Sequence, residues 1–258
     1  MKHNFQSFWA GKTLTPYELL CLRSFIDHGH TFDLYTFESN LDVPVGVSVR
    51  NAAEILASEE FFVYEDGPGK GSPAAFANLF RYKLLAERGG WWVDTDVICL
   101  ADDIPDFTEF FAAEDDILIN VAIMLFPPQH ALMIRCFNEA KRMGRAVRWG
   151  DTGPFLFTRL VNEFGYRDRT LSTELGYSLH HYWATDILRP SRCADLIERT
   201  KSSLFVHLYN ASLILKGVQK NKALPMGSML HRWLERHPVG GWEGAYDEGT
   251  VERTLVPP

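Results

Sequence analysis

Two aspartates separated by one residue, Asp94-Thr95-Asp96, follow the run Gly89-Gly90-Trp91-Trp92-Val93. Alternate side chains leave the same side of a strand, so the two carboxylates share a face. Like charges brought together repel unless something positive lies between them. Carboxylate oxygens suit a hard divalent cation such as Mn²⁺ or Mg²⁺, which keeps part of its shell for substrate phosphates. The chemistry on offer is binding of a metal–diphosphate. A bare Asp-x-Asp also fits a solvated strand end. The setting, after an apolar helix, two glycines and two tryptophans, favours the metal.

Several elements must position that pair. Ser72 reads as an N-cap and Pro73 as the first residue of a helix whose apolar face is Phe76, Leu79, Phe80 and Leu84. Arg88 suits its last turn and Gly89 its left-handed stop. Trp91 to Leu100 reads as one buried strand carrying the acids. Upstream, Phe5 to Ala10 is a strand closed by Gly11. Thr15, Pro16 and Glu18 open a helix with a capping box, and Thr31 to Phe37 alternates as a second strand. This β-α-β start predicts an α/β fold with a Rossmann-like, mostly parallel central sheet flanked by helices.

Further along, Val47 to Ala57 reads as a short strand and a helix capped by Asn51, and residues 59–71 as a loop. Ala112 to Phe126 reads as two strands with Asn120 between or within them. Helices follow over Ala131 to Arg145 and Phe155 to Phe164, the second introduced by Asp151-Thr152-Gly153-Pro154. Ser203 to Ser212 reads as a strand that leads into a loop. His180 and His181 are adjacent; strand neighbours point opposite ways, so a structural or acceptor-rim role is expected rather than shared ligation. The tail after Lys216 carries Lys220 and Lys222, then Gly240-Gly241-Trp242, and reads as solvated surface.

The chain has 258 residues, 46% of them hydrophobic, enough for a sizeable core. A formal charge of -7 argues against a nucleic-acid partner bound through a basic surface. Cys21, Cys99, Cys136 and Cys193 are widely spaced, which fits a reduced compartment rather than a disulfide framework. With neither a leader pattern nor a membrane span in view, a cytoplasmic location is expected, with peripheral association at the inner face of the membrane left open.

The run Phe76-Ala-Asn-Leu-Phe-Arg-Tyr-Lys-Leu-Leu, followed by Gly89-Gly90-Trp91-Trp92-Val93-Asp94-Thr95-Asp96, resembles the sugar-binding Asp-x-Asp region of a large glycosyltransferase group. That group includes bacterial capsular and lipopolysaccharide sugar transferases, Och-type mannosyltransferases and, more distantly, clostridial glucosylating toxins. The resemblance implies a single catalytic domain of the type A nucleotide-sugar transferase fold. Residues 1–100 would form its nucleotide-binding half. Residues 101–258 would form the acceptor side and a C-terminal metal and phosphate segment.

It also implies roles. Phe8-Trp9-Ala10-Gly11 resembles the group's opening Trp-x-Gly turn, with Trp9 stacking on the nucleotide base; a core tryptophan at a strand end is the alternative. Arg81 would contact the diphosphate or sugar hydroxyls. Asn78 stands where an aspartate is usual, so its amide would face the donor sugar without charge. Asn120 would lie beside the reacting sugar, and Asp94 and Asp96 would hold the ion. The segment His207-Leu-Tyr-Asn210-Ala-Ser212 resembles the group's C-terminal His-Leu-Trp-Asn segment, with Tyr209 and Leu213 where tryptophans are common. His207 would be the third metal ligand; a satisfied core histidine is the alternative. Asn210, Ser212 and Lys216 or Lys220 would neighbour the phosphates.

The implied activity is retaining transfer of a hexose from a nucleoside-diphosphate sugar (UDP-hexose or GDP-mannose), with Mn²⁺ or Mg²⁺, to a glycan or lipid-linked saccharide in bacterial surface polysaccharide synthesis. A non-catalytic nucleotide-sugar binder or partner subunit, and a metal-dependent phosphohydrolase, are the competing classes.

Overall fold

A computed structural model describes residues 1–246. Strand β1 (Asn4–Trp9) is the central strand of a five-stranded sheet. It pairs in parallel with β2 (Thr31–Thr36), which pairs in parallel with β3 (Val47–Asn51). On its other side β1 pairs in parallel with β4 (Gly90–Val93), and β6 (Ile123–Phe126) closes the sheet antiparallel to β4. The order is β3-β2-β1-β4-β6, a mostly parallel sheet as the β-α-β start predicts. A separate two-stranded ribbon pairs β5 (Val97–Cys99) with β7 (Phe205–His207).

Helices cover both faces. On one lies α1 (Pro16–Asp27), whose first turn is closed by the capping box: Thr15 N–H donates to Glu18 Oε2 at 2.9 Å. On the other lie α2 (Ala74–Glu87), α3 (Ala131–Met143) and α4 (Pro154–Glu163). Strand alternation divides the tryptophans of β4. Trp91 joins the core around Phe5, Phe25 and Phe205, and Trp92 joins the one around Phe8, Phe80 and Met124. Each ring removes on the order of 200 Å² from water, which fixes β4 from both sides. Three short helices, α5 (Cys193–Thr200), α6 (Asn210–Leu215) and α7 (Met229–Arg236), are the last α-helices among the described residues.

The expected single strand from Trp91 to Leu100 is two strands. At Asp94-Thr95-Asp96 the chain leaves the large sheet and enters the ribbon. Asp94 N–H donates to Ala122 O, and Val97 N–H turns back to Asp94 O at 3.2 Å. Both halves are apolar, so the pattern does not mark the turn; the change of partner does. Helix α2 begins one residue later than expected, with Pro73 at the cap position and Ser72 Oγ accepting from Ala74 N–H. Gly89 and Gly90 both take positive φ, 65° and 89°. A Cβ on Gly89 would also sit 2.5 Å from Pro128 N, so only glycine fits that stop.

Other expectations also shift. After β3, Asn51 accepts from Ala53 N–H, but only one 3₁₀ turn (Ala52–Glu54) follows, because Ile55 and Leu56 turn into the core. Of the two strands expected over 112–126 only β6 forms; Ala113 and Ile119 make an isolated bridge around the turn at 115–118. His180 and His181 lie at the start of a 3₁₀ segment (His181–Leu188), not in a strand. The tail is not simply solvated: Trp233 is buried, and Trp242 packs 6.0 Å from Tyr17. Among the described residues no helix is long and apolar enough to cross a membrane.

Candidate metal and donor site

The turn that carries Asp94 and Asp96 sits at the C-terminal edge of the parallel strands, the edge where open α/β sheets bind ligands. Strand β7 returns beside it in a register that pairs Val97 with His207. One ligand atom from each of Asp94, Asp96 and His207 therefore lies within 4.8 Å of the others. These are the three residues expected to hold the ion.

The two carboxylates differ in surroundings. Asp94 Oδ1 accepts from Arg81 Nη2 at 2.5 Å and from Trp92 Nε1 at 2.8 Å. Burial and the second carboxylate push its pKa up, against the pull of Arg81. Asp96 Oδ2 accepts from Asn210 N–H at 2.8 Å, and its Oδ1 lies 3.3 Å from His207 Nε2. Burial opposes the Asp96 charge, but His207, the Asn210 N–H and Lys220 together outweigh it and hold the carboxyl down at about 2. Burial also opposes charge on His207, and Asp96 reverses that effect and raises the imidazole. An anionic pair beside a histidine suits a divalent cation, which would replace the proton shared between Asp96 and His207.

Arg81, on α2, is buried with 3% of its side chain exposed. Its guanidinium lies 4.9 Å from the Trp92 ring centroid, and its Nε and Nη1 have no protein acceptor. Two buried charged N–H groups of this kind are costly unless an oxygen meets them. Asn78 is one helical turn away, and its Nδ2 lies 3.3 Å from Thr152 Oγ1 of the loop before α4. Gly153 passes so close that a Cβ there would sit 3.0 Å from Asn78 Nδ2.

Trp9 ends β1. The β1–β4 register, Gln6 opposite Trp92, carries Trp9 to the same edge as the Asp94 turn. Its Nε1 donates to Thr13 O, and a Cβ on Gly11 would sit 2.9 Å from that nitrogen, so the turn keeps glycine beneath the ring. Asn120 is buried; its Oδ1 accepts from Ala122 N–H, and its Nδ2 donates to Glu114 Oε2 at 2.7 Å. Ser212 is half-buried in α6. Lys216 Nζ donates to Tyr182 O at 2.8 Å and so ties α6 to the 3₁₀ segment.

Three residues that help to build this region were given no site role from the sequence. Glu18, fully buried in α1, accepts from Asn210 Nδ2 at 2.8 Å and pairs with Lys220, so the N-terminal helix fixes the segment that holds Asp96. Its only signal is the capping box, which explains one of its oxygens. Tyr209 is left-handed, φ 55° and ψ 57°, a conformation that costs a non-glycine residue of order 1–3 kcal/mol. It turns the chain so that Asn210 N–H meets Asp96. Glu114 lies in the acidic run Glu114-Asp115-Asp116, within the stretch read as two strands, and nothing in that pattern marks it out.

No protein-family model and no curated protein matches the chain. Among solved structures it is similar to the PaToxG glycosyltransferase, with 10% identity and a TM-score of 0.47 over 63% of this chain and 69% of that one. It is also similar to the bifunctional glycosyltransferase WbbM in its apo form, with 14% identity and a TM-score of 0.50. That match covers 98% of this chain and 51% of WbbM, about half the length of that protein. The five-stranded, mostly parallel sheet flanked by helices is the type A glycosyltransferase fold.

Proposed function

We propose that the chain is a metal-dependent glycosyltransferase that moves a sugar from a nucleoside-diphosphate donor to a hydroxyl of a glycan or lipid-linked acceptor. The observation that carries this reading is the convergence of Asp94, Asp96 and His207 within 4.8 Å at the ligand-binding edge of the sheet. Mn²⁺ or Mg²⁺ held there would neutralise charge growing on the leaving diphosphate. Asp96, kept ionised by His207 and oriented by Asn210 N–H, binds the ion, and Asp94 joins it while paired to Arg81. Arg81 meets the diphosphate or sugar hydroxyls with its two free N–H groups. Trp9 offers a ring to the base. Asn210, Ser212 and Lys216 flank the phosphates, and Asn120 lies beside the sugar.

The finer reading is retention of anomeric configuration, UDP-hexose or GDP-mannose as donor, and bacterial surface polysaccharide synthesis at the inner face of the membrane. It rests on the sequence resemblance. The test replaces Asp96 with Asn and measures Mn²⁺-dependent turnover of UDP-glucose, UDP-galactose and GDP-mannose. A fall of about 100-fold or more, with the fold intact by circular dichroism, is expected for loss of a charge-stabilising group. Unchanged turnover removes the metal role. A non-catalytic nucleotide-sugar binder is the second reading, favoured by the uncharged Asn78 and its contact with Thr152. Donor binding without turnover across an acceptor panel would select it.

A further inference from the structure

A second set of ligating side chains lies outside the Asp94 turn. Glu114, His180 and His181 bring one carboxylate oxygen and one nitrogen from each imidazole within 4.8 Å of one another. We propose that these three residues form a separate cation site, selective for a borderline transition metal of the Zn²⁺ class.

The 3₁₀ start at His181 makes the site. A strand would send adjacent histidines to opposite faces; here the two ring centroids are 4.0 Å apart and the planes differ by 36°. His181 Nδ1 stands 3.1 Å from Glu114 Oε1. The other Glu114 oxygen is occupied by Asn120 Nδ2, which fixes Oε1 toward the histidines. His180 Nδ1 makes only a 3.4 Å contact with Tyr182 N–H, while its Nε2 lies 3.9 Å from Asp115 Oδ2. Ligation through Nδ1 would leave Nε2–H facing that carboxylate, the outer partner that metal-bound imidazoles ordinarily keep. Asp115 is itself anchored by Ile117 and Leu118 N–H.

Two imidazoles and one carboxylate are the donor set of many zinc centres, whereas the two aspartates and one histidine at Asp94 are harder and suit Mn²⁺ or Mg²⁺. The new site has an entry path: a cleft of about 620 Å³ opens on Glu114, Asp115, Tyr177, His180, Glu198 and Arg199. Tyr209 separates the two ligand sets, its ring 4.1 Å from His207 and 5.9 Å from His181. A cation held by Glu114, His180 and His181 would clip the 181–188 segment to the 113–120 turn. Glu114 also holds Asn120, so that clip would stiffen the rim of the donor site.

The experiment measures Zn²⁺ and Mn²⁺ binding separately by equilibrium dialysis on the full chain, as wild type, D96N, H181A and H180A/H181A, with Co²⁺ absorption as a probe of imidazole ligation. Zn²⁺ should stay bound in D96N and weaken by about 100-fold or more in H181A and in the double variant, each variant folded by circular dichroism. Mn²⁺ should weaken in D96N alone. Zn²⁺ binding lost in D96N but untouched in H181A and H180A/H181A would overturn the proposal, as would no Zn²⁺ binding in any form. Loss of Mn²⁺ binding everywhere would instead count against the donor-site reading and leave the Zn²⁺ result to stand by itself.

Discussion

Replacing Arg81 by Met removes a buried cation and strands its partner. Asp94 Oδ1 would keep only the Trp92 N–H, with 29% of the carboxylate side chain exposed. Breaking one side of such a pair costs about 3 kcal/mol. Asp94→Asn leaves the guanidinium buried without an anion, at similar cost. Removing both should cost less than the sum, with a coupling of about 2 kcal/mol in a double-mutant cycle read by urea denaturation. The ligand arm is separate. Arg81 Nε and Nη1 lack protein acceptors. Two charge-assisted bonds at the low end, about 1.5 kcal/mol each, weaken donor binding by more than about 100-fold when lost. Calorimetry with UDP-glucose, UDP-galactose and GDP-mannose, at concentrations where each variant is folded, measures it. Arg81→Lys keeps charge but loses the planar fork and should also weaken binding, by about tenfold. Additive stability costs, or donor affinity within threefold of wild type in both variants, would refute the reasoning.

Glu18→Met breaks a buried pair with Lys220 and should destabilise by about 3 kcal/mol; E18M/K220M should recover much of this by removing both charges, while Mn²⁺ affinity stays low because Asn210 has lost its acceptor. His30 is buried, with its Nδ1 accepting from His3 N–H and its Nε2 on Ala101 O. Burial holds its pKa at about 4, against 6.5 when unfolded. The unfolded chain takes up the proton first, so this contribution is full above pH 6.5 and is lost as pH falls to about 4, a drop of about 3 kcal/mol. Denaturation across that interval should show the slope in wild type and not in His30→Asn. Trp9→Ala should weaken binding of a nucleotide about tenfold or more if the ring stacks on the base, and leave inorganic diphosphate binding unchanged.

The elements around the acids were legible because their signals are local. Gly89-Gly90 stops a helix wherever it stands, and Trp91 and Trp92 bury to opposite sides by strand geometry alone. The parallel sheet followed from a helix between two alternating strands. What escaped depends on partners far away in the chain. The β4–β5 break is invisible because Trp91–Val93 and Val97–Cys99 are equally apolar, and only β7 distinguishes them. His207 stood out through the resemblance of its segment, not through spacing. Glu114 drew no attention in its acidic run, because the partners that hold it, Asn120 and His181, are brought in by the fold. The segment of the two histidines was read as a strand, and a 3₁₀ turn forms there, which changes how their rings are disposed.

The ribbon in which Val97 faces His207 has a consequence for how the protein comes to life. Every strand of the large sheet is complete by Phe126, whereas His207 comes from far downstream, on a strand that, among the described residues, pairs only with β5. The β5–β7 pairing is thus a latch that completes the ligand set. An ion that grips both sides of that latch would hold it shut, making cation supply and final maturation a single thermodynamic event.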